Sequence, residues 1–184
     1  MTRLEEIYKK EVVNQLKKDL GYKSVMQVPR LEKIVVSSGL GEAIKDSAVI
    51  DEMVDIISKI TGQKPVVTKA KKSVASFKVR EGMDIGVKVT LRNDYAWEFL
   101  DKLINIVIPR FKDFHGMKKT SFDGRGNYSF GIVDHVVFPE IDPNSVQKIR
   151  QLEVTIVTTA KTDKEAYALL TKLGFPFVRD GKEV

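Results

Sequence analysis

Leu4, Ile7, Tyr8, Val12, Leu16 and Leu20 recur at helical spacing, with Lys9, Lys10, Lys17 and Lys18 largely off that line. The pattern predicts an amphipathic helix over 3–20, ended by Gly21. After Pro29 the run LEKIVVS, Leu31 to Ser37, predicts a strand. From Asp46, the set Val49, Ile50, Met53, Val54, Ile56, Ile57 and Ile60 forms a wide stripe with a 3.6-residue period, and Gly62 supplies a C-terminal cap. Pro65 to Thr68 and the alternating run Val74 to Arg80 predict short strands. The clearest strand is 85–92: Ile85, Val87, Val89 and Leu91 point one way, and Gly86, Lys88, Thr90 and Arg92 the other.

Trp97, Leu100, Leu103, Ile104 and Val107 predict a helix from about Asp94 to before Pro109. Gly124-Arg125-Gly126-Asn127 reads as a loop, and 128–138 and 152–159 as strands. Between those strands, Phe138 to Pro143 predicts an extended turn into a short helix. Thr162 and Glu165 have capping-box spacing and open a last helix bearing Ala166, Leu169, Leu170 and Leu173, stopped by Gly174 and Pro176. Strands follow one another without strict alternation with helices. The expected class is α+β, a mostly antiparallel sheet with helices packed on one face and the other face open. No repeat, linker or composition break divides residues 1–184, so a single domain is expected.

The open face changes the picture once charge is counted. The chain of 184 residues carries a net +6, unevenly spread. Residues 61–82 carry +5 and 109–133 carry +3, whereas 42–60 carry −3 and 134–160 carry −2. In the stretch TGQKPVVTKAKKSVASFKVREGM, Lys64, Lys69, Lys71, Lys72, Lys78 and Arg80 alternate with small residues and with Phe77. Small residues let a backbone approach a polyanion, lysines neutralise phosphates, and a ring packs on a ribose or base. Around Ala70 to Ser73 this reads as a loop that reaches outward between two strands. A basic loop beside a strand face bearing Lys88, Thr90 and Arg92 favours RNA binding; a module that bridges acidic proteins stays open as the alternative.

Catalysis finds little support. There is no cysteine, which excludes a thiol nucleophile, a disulfide scaffold and Cys-based metal sites. The two histidines, His115 and His135, have no HxH or HExxH context. A Ser129/Asp134/His135 triad lacks a nucleophile elbow, and neighbouring strand residues face opposite ways. Gly39-Leu40-Gly41 lacks the third glycine of a dinucleotide loop, since Ile44 stands there. An RNA-processing enzyme therefore has no constellation to support it; no metal and no cofactor are expected. No apolar run approaches the ~20 residues that span a bilayer. The N-terminus mixes both charge signs without an apolar core, so no signal peptide is read there and a cytoplasmic protein is expected.

The motifs VPRLEKIVVSSGLGEA (28–43), TGQKPVVTKAKKSVASFKVREG (61–82), IGVKVTLR (85–92), IPRFKDFHG (108–116), SFDGRGNYSFGI (121–132), FPEID (138–142) and TIVTTAKTDKEAYALLTKLGFPF (155–177) occur in this order. Together they resemble the bacterial-type large-subunit ribosomal proteins of the 5S-rRNA-binding L-five family, over essentially the whole chain. The resemblance implies a ribosome-bound, non-enzymatic role in the central protuberance, alongside other large-subunit components. It implies 5S rRNA contacts at Gln63, Lys64, Lys88, Thr90 and Arg92, and at Ser37, where family members usually carry Asn. It implies a loop facing P-site tRNA with Lys71, Lys72, Ser73, Phe77, Lys78 and Arg80. It also implies an intersubunit bridge to small-subunit ribosomal protein thirteen, formed by part of 109–116 and by 134–145, where Asp134, Glu140 and Asp142 suit a basic partner.

Overall fold

A computed structural model of the chain describes residues 2–112, 114–146 and 148–178. Five strands, β1 (Leu31–Gly39), β2 (Val66–Lys69), β3 (Asp84–Leu91), β4 (Tyr128–Ile132) and β5 (Leu152–Thr158), form one antiparallel sheet in the order β2-β3-β1-β5-β4. Among the described residues the α-helices are α1 (Arg3–Ile7), α2 (Val13–Asp19), α3 (Ala48–Thr61), α4 (Asn93–Lys102) and α5 (Asp163–Lys172). The predicted α+β class is the observed one. By compactness the chain divides into two units: Met1–Ile34, Arg92–Phe130 and Thr155–Val184 make one, and Val35–Leu91 with Gly131–Val154 the other.

In the first unit, α1 and α2 run on through a π-helical turn at Tyr8–Val12, so the predicted N-terminal helix is continuous. Leu4, Val12 and Leu16 of its apolar stripe are buried. Tyr8 tilts over Trp97 at 5.3 Å between ring centroids and donates its hydroxyl proton to the Pro29 carbonyl at 2.9 Å. Burial of this phenol pushes its pKa up to about 12, so it stays a donor. The helix from Asn93 continues past Lys102 through a π turn, Leu103–Val107, into a 3-10 turn that contains Pro109. Pro109 therefore sits inside the last turn rather than just beyond it. The predicted capping box is present: Thr162 accepts from the Glu165 amide, and Glu165 accepts from the Thr162 amide at 3.3 Å. Phe122, Tyr128, Phe130, Phe175 and Phe177 make a cluster of stacked, tilted and edge-on ring pairs, 4.8–6.0 Å apart.

In the second unit, α3 lies against β3 and β2. Its predicted stripe is buried at Val49, Ile50, Met53, Ile56, Ile57 and Ile60, and Gly62 ends it with φ at 68°. On β3 the predicted alternation holds from Val87 on: Val87, Val89 and Leu91 are buried, Lys88 is exposed and Thr90 is half-buried, whereas Ile85 is half-buried and Gly86, expected on the polar side, is buried.

Two predicted strands are corrected. Val74 to Arg80 is not a strand: Val74 and Val79 pair in one isolated bridge, with a 3-10 turn at Ala75–Phe77 and Lys78 at φ 56° between them. Closing so short a loop needs a left-handed residue, and Ala75 and Ser76 offer no apolar alternation to hold an extended chain. The strand over 128–138 stops at Ile132. Asp134 then accepts from the Val136 amide at 2.8 Å and turns the chain into the 3-10 segment His135–Val137.

Candidate nucleic-acid interface

β2 and β3 pair with Val66 opposite Lys88, Val67 opposite Val87 and Thr68 opposite Gly86. Gln63, just past the end of α3, donates from Nε2 to the Thr90 carbonyl at 3.3 Å. This bond ties the start of the basic segment to the far end of β3. Gln63, Lys64, Lys88 and Thr90 thus belong to one neighbourhood, with the first three exposed. Such a set offers cations, an amide and a hydroxyl, the groups that meet phosphate and ribose oxygens.

Two of the predicted residues stand differently. Ser37 lies on β1 within reach of Glu153, Oγ to Oε2 at 3.5 Å, so a carboxylate shares its surroundings. Arg92 falls just past the end of β3, in the first unit, as the extended residue before α4. Its side chain is exposed and makes no capping bond.

The basic loop has a defined neck. The Ala70 amide donates to the Met83 carbonyl at 2.8 Å, and the Gly82 amide donates to the Ala70 carbonyl at 3.0 Å. Ser73 holds the loop from within: its Oγ accepts from the Glu81 amide at 2.9 Å. Beyond that neck Lys71, Lys72, Lys78 and Arg80 are all exposed, and Phe77 is 74% exposed. An unburied ring flanked by cations is costly in water and useful against a ribose or base.

The predicted acidic residues are placed in part by local turns. Asp134 and Asp142 each begin a 3-10 segment, and Asp142 accepts from the Asn144 amide at 2.9 Å. Glu140 and Asp142 are exposed and Asp134 is half-buried. Asp113, within the 109–116 stretch, lies outside the described residues. Ser129 bonds Thr155, Oγ to Oγ1 at 2.9 Å, and His135 is buried with Nδ1 against the Arg150 backbone at 3.1 Å. Neither bond links Ser129 to His135. Among the described residues no cluster of acids and histidines could hold a metal, and no helix is long and apolar enough to cross a membrane.

A family model described as Ribosomal protein L5 matches residues 24–80, and a second, for the C-terminal part of the same ribosomal family, matches 84–177. The chain belongs to the ribosomal protein L5 family. It is similar to the large ribosomal subunit protein uL5 of Geobacter sulfurreducens, with 56% identity over 96% of this chain and 99% of the relative. It is also similar to uL5 of Geotalea uraniireducens, with 55% identity over the same shares. As a member of the L5 family it is a ribosomal protein of the large subunit, a structural constituent and not an enzyme.

Three features of this L5-family chain escape a reading by periodicity. Lys148 pairs with Glu42, and Arg150 with Glu52 at 2.7 Å, across about a hundred residues of sequence. A groove of about 810 Å³ in the first unit is lined by Tyr8, Trp97, Tyr22, Met26, Arg30 and Lys161 among others. The 123–127 loop is fastened by two aspartates. Only the last left a local signal, an Asp and an Asn four residues apart around two glycines.

In that loop the Asn127 side chain, then the Asn127 and Arg125 amides, hold the Asp123 carboxyl below the usual aspartate range. A lowered carboxyl pKa stabilises the fold wherever the group is charged. The advantage is full above the ordinary value of 3.8 and is lost as pH falls through the lower folded value. The melting-temperature advantage over Asp123→Ala is expected to be full at pH 7, to persist to about pH 4 and to shrink below it. Thermal melts followed by circular dichroism at stepped pH measure it.

Proposed function

We propose that the protein binds 5S rRNA in the central protuberance of the large subunit through the polar side of β3 and the start of the basic segment. The observation that carries this is the Gln63–Thr90 bond beside exposed Lys64 and Lys88, which gathers residues about 25 positions apart into one polar set. Lys64 and Lys88 neutralise phosphates, and the Thr90 hydroxyl and the Gln63 amide bond ribose or phosphate oxygens. Arg92 adds a cation from just beyond the strand. Ser37 contributes least, because Glu153 repels an approaching phosphate. The exposed loop with Lys71, Lys72, Phe77, Lys78 and Arg80 reaches P-site tRNA, and Ser73 keeps its shape. Asp134, Glu140 and Asp142 offer negative charge to a basic small-subunit protein, ribosomal protein thirteen, across the subunit interface.

Filter binding of purified Lys88→Ala/Thr90→Ala to a 5S rRNA transcript tests the first element. Affinity is expected to fall about tenfold, with the salt slope smaller by about one unit for the lost lysine–phosphate contact and the circular dichroism spectrum unchanged. Wild-type affinity in a folded double variant sinks the strand-face assignment.

A further inference from the structure

We infer that Arg125, held on a rigid loop, forms with Lys161 and Lys164 a second RNA-backbone site, built from residues other than those of the polar strand face. The loop is closed by the Phe122–Tyr128 bridge and by the Asp123 amide donating to the Asn127 carbonyl at 3.1 Å. Asp123 accepts from the Arg125 and Asn127 amides at 2.8 and 3.0 Å, and from the Asn127 side chain at 2.6 Å. Asp163 accepts from the Gly124 and Gly126 amides at 3.1 and 2.9 Å. All amides from 123 to 127 are therefore engaged. The Gly126 carbonyl accepts from the Thr158 hydroxyl at 2.7 Å. Gly126 has φ +82°, and a Cβ there would lie 2.9 Å from the Ala160 Cβ.

So fixed a backbone carries an exposed side chain with no partner among the described residues, that of Arg125. Both aspartates accept from loop amides and Glu165 faces Lys161, so the charged side chain that the loop presents without a partner is that of Arg125. Lys161 and Lys164 flank Asp163 in sequence and are also exposed. No large apolar residue is exposed within 121–127 or 158–167. A protein partner is expected to need an apolar centre with aromatic anchors. A phosphodiester backbone needs cations and a planar fork that meets two phosphate oxygens at once, which arginine supplies. A pre-set loop also removes the ordering cost at binding. In a ribosomal protein the polyanion available to such a surface is rRNA. Lys161 lines the groove with Arg30 as well, so the cations continue beyond the loop.

The test uses the full chain and rRNA extracted from large subunits, with the long and short species as separate probes. Arg125→Ala/Lys164→Ala is expected to bind at least one probe about tenfold more weakly, with the salt slope reduced by about two units and thermal melting unchanged. Arg125→Lys is expected to recover the slope but only part of the affinity, since it restores charge without the fork. Wild-type affinity and slope on both probes overturns the inference. A second readout uses the absence of cysteine from the chain. A single cysteine at Lys164→Cys carries a tethered iron into reassembled large subunits, where hydroxyl radicals are expected to cut rRNA. No cleavage overturns the site. Lys88→Ala/Thr90→Ala run in parallel separates a failure of the strand-face reading from a failure here, because the two pairs share no residue.

Discussion

Gly86→Ala is expected to destabilise the protein by about 2–3 kcal/mol, about 5–10 °C in melting temperature for a chain of this size. Gly86 sits on β3, opposite Thr68 of β2. A Cβ at this position would lie 2.8 Å from the Ser38 carbonyl oxygen and 2.9 Å from the Thr68 hydroxyl. Thr68 can rotate its side chain, but the Ser38 oxygen is backbone of β1 and cannot yield without moving the strand. The substitution therefore acts through the sheet, and it displaces the strand that bears Lys88 and Thr90. Weaker 5S rRNA binding should accompany the lower melting temperature. Gly131→Ala is the matched control, because nothing lies within 4 Å of a Cβ there; its melting temperature should stay close to wild type. Calorimetry of both variants decides the matter, and an unchanged transition in Gly86→Ala would falsify the close-approach argument.

Glu52→Ala is expected to cost about 2 kcal/mol. Arg150 Nη1 meets Glu52 Oε2 at 2.7 Å, with the arginine side chain 11% exposed and the glutamate 31% exposed. The Arg150 backbone also lies against buried His135, its amide and carbonyl each 3.1 Å from the same Nδ1, which bonds one of them according to the ring's tautomer. Removing the carboxylate leaves a guanidinium mostly out of water without its hydrogen-bonded partner, with only the more distant charge of Glu42 in reach. In a fully buried pair that costs about 3–5 kcal/mol, and the partly exposed glutamate lowers the figure here. The pair itself need not be a large net gain, because both charges lost hydration to form it. Glu52→Leu/Arg150→Met should therefore recover much of the loss, and urea titration of the single and double variants measures the difference. A single variant as stable as wild type would show that water reaches Arg150 freely.

These contacts mark where the sequence was legible. The stripe Val49 to Ile60 and the alternation Ile85 to Leu91 foretold α3 and β3, because each carries enough apolar residues for one period to dominate. Gly62 and the Thr162–Glu165 pair marked helix ends through chemistry confined to one turn. The run 74–80 misled, because its alternation is weak and the bridge between Val74 and Val79 decides its shape. The strand expected over 128–138 ends at Ile132, because the turn at Asp134 depends on one side-chain bond. Lys64, Lys88 and Thr90 could be picked out as polar positions, but the link from Gln63 to Thr90 depends on how α3 and β3 pack. Arg150 and Glu52, nearly a hundred residues apart, left no local trace. Arg125 was visible only as part of a glycine loop; the carboxylate of Asp163, nearly forty residues on, shows that the loop is fixed.

The outer strand β2 has a further consequence, for the protein before it is assembled. A strand at the end of a sheet exposes unpaired amides and carbonyls, a template on which a second copy can add. β2 has only four residues, Val66 to Lys69, and its register with β3 shifts between Thr68 and Lys69. Pro65 precedes it with no amide to donate, and Lys64 and Lys69 bracket it with charge. Shortness, an irregular end, a proline and like charges all resist edge-to-edge addition. Newly made protein is thereby guarded against growth into aggregates by the same lysine-rich border that is proposed to meet the RNA.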